Sequence, residues 1–348
     1  MALAVRPPVP PMLARLAREV PRDGFLYEPK WDGFRALAFR DGREIDIRSR
    51  HGRPLARYFP ELVEALVAAR EESFVLDGEI VLLQPDRSDF PALMARLHPT
   101  ASRVERLRHE TPASFVAFDV VAVADDVRGQ PFATRRSLLE SLLAAESGPL
   151  SVTPITDDAE IASAWLDRFE GIVAKHRDLV YQPGVRAMVK VKTERTADCV
   201  VAGFRWMADR PLLGSLLLGL HDEAGGLRHV GVVTSFTQAR RQEVLDELAP
   251  LVTEIEGHPW EHGFGLDPSP LGRLLGAAGR WAPGEMARDW IPVRPERVCE
   301  VAYDQIDGYR FRHPARFRRW RPDREPRSCA LDQLEPAPSQ PRELLDAG

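Results

Sequence analysis

The run "EPKWDGFR" places Lys30 between an acid two residues before it, Glu28, and the Asp-Gly that begins two residues after it. Three more charged groups interrupt apolar text. Glu79 stands in "LDGE", where the Asp-Gly predicts a tight turn between two strands. Glu170 and Lys175 bracket "GIVA", and Lys190 and Lys192 alternate in "MVKVK", which puts both on one face of a strand. Lys30 reads as a lysine on a strand next to a turn, ordinarily a solvated side chain, but charges flanked by Val, Ile and Leu are expensive to bury unless paired or bound to something. A pocket with two carboxylates and several lysines suits a polyphosphate and its metal. The lysines hold phosphate oxygens, and the carboxylates take a hard cation such as Mg²⁺. Lys30 also fits the part of a nucleophile. A lysine amine of ordinary pKa, about 10.4, is almost wholly protonated at neutral pH. Clustered cations and partial burial are expected to depress that pKa, and the free amine attacking phosphorus gives a phosphoramidate. The rest of the pocket must then neutralise charge on the phosphoryl oxygens. No G-x-x-x-x-G-K-[ST], H-E-x-x-H, G-x-S-x-G or paired C-x-x-C pattern occurs, which excludes an ordinary P-loop and the commonest hydrolase and zinc sites.

The elements that must carry these groups divide the chain in two. Its 348 residues give a length prior of two domains, and a composition 44% hydrophobic and 28% charged supports a core in each. The net charge of -5 rules out a uniformly basic nucleic-acid binder, so any such contact needs local patches. Cys199, Cys299 and Cys329 lack metal-ligand spacing and read as reduced thiols. No signal peptide and no membrane-length apolar run is visible, so a cytoplasmic protein is expected. Residues 1–24 read as a Pro-rich extended lead-in, and "FRALAFRDGREIDIRSR" as a hairpin around Asp41-Gly42. "FPELVEALVAAR" reads as a helix with Pro60 at its first position, and "TRRSLLESLLAA" as one capped by Thr134. "SFVAFDVVAV" is a buried strand, and "EGIVAKH" and "AMVKVK" are short ones. Strands without βαβ alternation predict an α+β domain built on antiparallel sheets. Beyond about residue 195, "CVVAGFRW", "GSLLLGLHD", "LRHVGVVTSF" and "VCEVAYDQI", with one helix at "TQARRQEVLDELAPLV", predict a small all-β barrel such as an OB-fold. Residues 257–290 read as loop, and the tail after 325 as a strap or a partly disordered segment.

Six motifs now stand in order: "KWDGFR", "SRHG", "LDGE", "FVAFD", "EGIVAK" and "MVKVK". Together they resemble the collinear motifs of the covalent nucleotidyltransferases, in particular the ATP-dependent DNA ligases. The likeness covers roughly residues 25–195, and "RFRRWRPDR" resembles the C-terminal ligase motif of the OB domain. Within that family the later strand text is most similar to the small stand-alone bacterial, chiefly actinobacterial, ligases of the C class, which are taken to serve DNA repair.

The resemblance implies a nucleotidyltransferase (adenylation) domain over 1–195, an OB-fold domain over 196–330 with a hinge near 193–198, and a tail over 331–348. It implies nick sealing in duplex DNA by a monomer that uses ATP with Mg²⁺ or Mn²⁺. Lys30 becomes adenylylated and Glu28 helps fix adenine. Arg35 and Arg50 contact nucleotide and DNA phosphate. Glu79 holds ribose or metal, Phe118 stacks on the base and Glu170 binds metal. Lys175, Lys190 and Lys192 contact phosphates, and Arg321, Asp323 and Arg324 orient the pyrophosphate. "DFPALMAR" resembles the family's F-x-x-L-Q-x-R at Phe90, Leu93 and Arg96, with Met94 in place of Gln. Arg324 replaces a common Lys, so a point contact becomes a forked one. "RFRHPARFRRWRPDR" carries seven arginines among fifteen residues, with aromatics between, which suits strand contact. Two other readings share these residues. One is an RNA ligase or GTP-using capping enzyme, separable by nucleotide and nicked-substrate preference. The other is a non-catalytic OB-type nucleic-acid binder, separable by ATP turnover.

Overall fold

The computed structural model describes residues 3–83, 89–97, 100–144, 146, 148–262, 264 and 290–335. The chain divides into two compact units, with the boundary between Thr193 and Glu194. The first unit holds β1 (Leu13–Ala17), β2 (Phe25–Pro29), β3 (Phe34–Asp41), β4 (Glu44–Ser49), α1 (Pro60–Ala68), β5 (Ser73–Val81), α2 (Phe90–Ala95) and α3 (Ala101–Glu110). It continues through β6 (Ser114–Val123), β7 (Asp125–Asp126), α4 (Phe132–Leu143), β8 (Leu150–Val152), α5 (Ala159–Ala164), β9 (Ile172–His176) and β10 (Arg186–Val191). One sheet runs β1-β10-β9-β2 and the other β4-β3-β5-β6-β7, with β8 beside β6. Most pairings are antiparallel, as expected, but β1·β10 and β6·β8 are parallel.

Alternation along β3 explains the layers. Ala36 and Ala38 face the core shared with α1, whereas Leu37 and Phe39 face a second core that also takes Met12 of the segment before β1 and Met188 of β10. Tyr27, Trp31, Val81 and Val116 join the sheets in the same way. The two sheets therefore face one another, and the strand ends that carry the motif residues open onto the same gap.

Several local expectations are corrected. The lead-in contains a strand, β1, whose Leu16 pairs with Lys190 of β10. Lys30 lies in the connection between β2 and β3, not on a strand. "LDGE" makes no turn: β5 runs straight through Asp77 and Gly78. Packing overrides the local turn preference there, because a Cβ on Gly78 would lie 2.6 Å from the Phe115 ring and 2.7 Å from the Val116 carbonyl oxygen. Asp77 is fully buried in its own pairing. α4 begins at Phe132 after Pro131, so Thr134 lies inside the helix and does not cap it. Pro60 does open α1, with Leu62 and Leu66 buried beneath it.

The second unit holds β11 (Arg195–Trp206), β12 (Leu213–His221), β13 (Leu227–Val233), α6 (Gln238–Leu248), β14 (Ile291–Tyr303), β15 (Ile306–Asp307), β16 (Arg310–Phe311) and β17 (Arg316–Trp320). Its main sheet is ordered β13-β12-β11-β14-β17. The outer strands meet where Val233 bridges Ala315 and the Ala315 amide donates to the Val232 carbonyl at 2.8 Å. That contact closes the sheet into a barrel, which removes its free edges. β11 and β14 are not short: they span 12 and 13 residues. Residues 195–198 of the expected hinge lie in β11, laddered to β14, which leaves only the residues before Arg195 outside the sheet. Cys199 and Cys299 are ladder partners, and with Cys329 they are buried free thiols whose pKa values burial pushes up. After residue 325 the chain makes short 3₁₀ turns and seats Cys329, whose carbonyl accepts from the His221 amide at 2.8 Å. The rest of the expected tail from 336, and most of the expected 257–290 loop, lie outside the described residues.

Candidate active site

The gap between the sheets of the first unit contains a cleft of about 850 Å³, open mouth included. Its lining includes Glu28, Lys30, Arg35, Arg50, Glu79, Phe118, Lys175 and Lys190. Residues far apart in sequence meet there because β2, β3, β5, β9 and β10 bring residues near their ends, and β6 its middle, around one space.

Lys30 is held from both sides. Its amide donates to the Gly171 carbonyl at 2.9 Å. Next to it, buried Trp31 donates through Nε1 to Thr153 Oγ1 at 2.9 Å and packs edge-on against Phe169. Gly33 completes the turn where β5 passes close: a Cβ there would lie 2.1 Å from the Ile80 carbonyl oxygen. The Lys30 amine is ion-paired with Glu170, whose second oxygen binds Lys192.

This pairing overturns the expected depression of the Lys30 pKa. Burial pushes the amine down, but Glu170 and Glu79 outweigh it and the net shift is upward. Burial raises Glu170, yet Lys30 and Lys192 outweigh it and hold that carboxyl at about 2. Glu79 has no such close partner: burial pushes it up to about 7 against the pull of Lys30 and Arg35. The lysine whose pKa is lowered is Lys190, by burial and then by Lys192 and Lys30.

The other end of the cleft is built around Phe118, whose ring is flanked by the Arg35 guanidinium at 4.8 Å and the Lys175 amine at 4.9 Å. Lys175 is not grouped with the other lysines as expected. It is 1% exposed, its Nζ pairs with Glu28 at 2.8 Å, and it donates to the Phe118 carbonyl at 2.7 Å. Those two acceptors draw it inward along β9, to the Phe118 end. Burial pushes the Glu28 carboxyl up against Lys175 and Arg136. Arg35 is fixed by a fork onto Asp77 (2.9 and 2.7 Å), and Tyr181 donates its hydroxyl to the same carboxylate at 2.6 Å.

Sequence reasoning missed Asp77, Tyr181, Arg136, Trp31 and Arg186, the last of which also lines the cleft. For Asp77 a signal existed: an acid inside "FVLDGEIVLL" is as anomalous as Glu79. Met94 is exposed on α2, and Arg96 of the same signature is fully buried. Arg96 donates to the carbonyls of Tyr58 and Thr111 and pairs with Glu61, so it serves the core. His51 and His176 belong to no cluster able to hold a metal among the described residues.

Comparison with known proteins fits this geometry. Residues 11–192 match the family described as ATP dependent DNA ligase domain, and residues 209–324 match the ATP dependent DNA ligase C terminal region. The chain belongs to the ATP-dependent DNA ligase family. It is 48% identical over 346 residues to DNA ligase C2 of Mycolicibacterium smegmatis, with 97% of each chain covered. It is 46% identical to DNA ligase C of Mycobacterium tuberculosis, with 96% of each covered. A solved Lig E DNA ligase with a minimal scaffold superposes with a TM-score of 0.55 at 18% identity, over 89% of this chain and 99% of that one, a likeness of fold alone. The two units are thus an adenylation domain and a C-terminal OB-fold domain, in an α+β chain.

In the OB domain of this ligase, five of the seven arginines of the arginine-rich segment stand on β17 and the turn after it. Those five are matched by acids of the same domain, whereas Arg310 of β16 is bonded to His229. Arg316 and Arg318 pair with Glu194, Arg316 also with Asp304, and Arg319 with Glu300. Arg321 forks onto Asp323 (2.9 and 2.8 Å) and reaches Asp198 at 3.0 Å. The segment is therefore less cationic than its text, and its arginines are pre-oriented. Among the described residues, no helix is long and apolar enough to cross a membrane.

Proposed function

We propose that this chain, as a monomer in the cytoplasm, seals nicks in duplex DNA during repair, using ATP through a Lys30–AMP intermediate. The chemistry is assigned to residues 1–195 and the grip on pyrophosphate and DNA to residues 196–330. One observation carries the reading: the Lys30 amine, Glu170, Glu79, Arg35, Arg50 and Lys190 converge on one cleft with an aromatic floor. Phe118 offers the base a face, and Glu28 offers an acceptor for an amino group of the base. Arg50 and Lys190, neither of them ion-paired with an acid among the described residues, offer charge to phosphate. Lys192 adds to that charge beside Glu170.

Glu79 and Glu170 supply hard oxygen donors, and no group of three or more His, Cys, Asp or Glu side chains gathers as a metal site among the described residues. That donor set fits a Mg²⁺ or Mn²⁺ ion completed by phosphate oxygens and water, as divalent ions are ordinarily held beside nucleotides. When bound, such an ion neutralises charge on the phosphoryl oxygens.

Lys30 attacks the α-phosphorus of ATP, a nitrogen–phosphorus bond forms, and pyrophosphate leaves. The amine must first give up its proton to water at the open mouth of the cleft, so Glu170 must turn from it as nucleotide binds. AMP then passes to the 5′-phosphate at the nick, and the 3′-hydroxyl attacks that phosphorus and releases AMP. Each step is an in-line displacement governed by positioning and charge neutralisation. Incubation with α-labelled ATP and Mg²⁺ tests the reading: the wild type takes up label, Lys30→Ala takes up none, and a singly nicked duplex is sealed with ATP in preference to GTP. Full labelling of Lys30→Ala would remove Lys30 as the nucleophile, and sealing of nicked RNA alone would favour an RNA-directed enzyme.

A further inference from the structure

The resemblance assigns Arg321, Asp323 and Arg324 to pyrophosphate, and nothing in the sequence singles out a partner for them. The barrel supplies one. Asp198 of β11 accepts from Arg321 Nη1 on both carboxylate oxygens at 3.0 Å, and Arg324 Nε lies 3.2 Å from its Oδ2. The opposite edge of the same guanidinium is forked onto Asp323. Arg321 is thus gripped between a carboxylate on the sheet and one on the loop.

The sheet side is the rigid one. Asp198 is laddered opposite Glu300 of β14 and stands just before the buried run Cys199–Ala202. The side chain of Gln333 locks its main chain: the Asp198 amide donates to Oε1 at 3.0 Å, and its carbonyl accepts from Nε2 at 3.3 Å. Glu300 approaches Arg321 at 3.8 Å but is bonded to Arg319 at 2.7 Å, so it is no substitute. Without Asp198, Arg321 would keep only the loop carboxylate of Asp323, which moves with it, and Arg324 would lose the carboxylate that now stands 3.2 Å from its Nε.

We propose that Asp198 is a positioning residue for the first chemical step, holding Arg321 and Arg324 at the spacing that pyrophosphate requires. This rests on the nucleotidyltransferase reading above. A displaced cation weakens departure of pyrophosphate from ATP, but has no such task once AMP already sits on the DNA. The test compares two rates in Asp198→Asn, which keeps shape and loses charge: AMP transfer from ATP to the protein, and closure of a synthetic nick whose 5′-phosphate already carries AMP. The first is expected to fall about 10- to 100-fold with a raised KM for ATP, and the second far less. Gln333→Ala, which only loosens the Asp198 main chain, is expected to show the same split at smaller size. Equal losses in both steps would reduce Asp198 to a structural role, and unchanged AMP transfer in Asp198→Asn would sink the proposal. A wild type that takes up no AMP would instead overturn the nucleotidyltransferase reading.

Discussion

Lys30 and Glu170, 140 positions apart, form an ion pair in the cleft, and the same carboxylate binds Lys192. One acid thus carries two lysines, and it sets the resting state of the lysine proposed above as the nucleophile. Without ligand, Lys30 is an ammonium whose pKa is raised, not an amine ready to attack. A raised pKa in a lysine means that the proton is held to higher pH and released only when the anion leaves. Glu170→Gln is therefore expected to lower the Lys30 pKa in the nucleotide-free protein. The pH dependence of Lys30 acetylation by a small anhydride, followed by mass spectrometry, should shift to lower pH. A midpoint unmoved or moved upward would contradict the pairing.

Arg35 and Asp77 form the second pair on which the site depends. Asp77 is completely buried and serves Arg35 and the Tyr181 hydroxyl together. Removing one partner of a buried pair leaves an uncompensated charge and costs about 3–5 kcal/mol. Asp77→Ala should lose roughly that amount in urea unfolding, with a lower midpoint. Asp77→Asn, which keeps an acceptor oxygen, should lose less. A loss under about 1 kcal/mol in Asp77→Ala would show that the fork contributes little.

How much of this was legible follows from what each residue's neighbours reveal. The motifs, the hairpin at Asp41-Gly42 and the strands at "SFVAFDVVAV" and "LRHVGVVTSF" were readable, because periodicity and turn residues act over a few positions. The Asp-Gly at 77–78 was misread because its conformation is set by Phe115, which approaches from another strand. Lys175 could be put on a strand, but not at a depth: its partner Glu28 lies on β2. The arginines of β17 read in sequence as a cationic run suited to strand contact. The acids that match them and the arginines of the following turn stand on β11 and β14 (Asp198 and Glu300), just outside those strands (Glu194 and Asp304) or on the turn itself (Asp323), and the fold brings the distant ones close.

Glu79 gives the protein a pH signature. Its folded pKa is about 7, above the ordinary 4.5, so the folded state binds the extra proton. Its stabilising contribution is complete below the unfolded pKa and is lost as pH rises through about 7. Glu79→Gln removes that dependence. In the presence of a chelator, the variant should match the wild type below about pH 4.5 and exceed it by about 3 kcal/mol above pH 7. Unfolding curves at several pH values check this, and a variant less stable than the wild type at high pH would reverse the sign.

The buried cations around Glu28 bear on which base the cleft accepts. Burial raises the Glu28 pKa, while Lys175 at 2.8 Å and Arg136 at 3.5 Å work against that rise. As an anion, Glu28 can only accept hydrogen bonds, which suits an amino group on the base and repels a carbonyl oxygen. Lys175→Met keeps much of the volume and removes the nearer cation. The Glu28 pKa then rises further, which favours its protonated, donating form and weakens its preference. The expected result is an ATP KM raised about tenfold or more, with the ratio of ATP to GTP labelling falling in step. Arg136 remains on the other oxygen, so Arg136→Met should produce a smaller shift in the same direction. If Lys175→Met raised the KM but left the ATP to GTP ratio intact, Lys175 would be supporting the Phe118 wall and not the ionisation of Glu28.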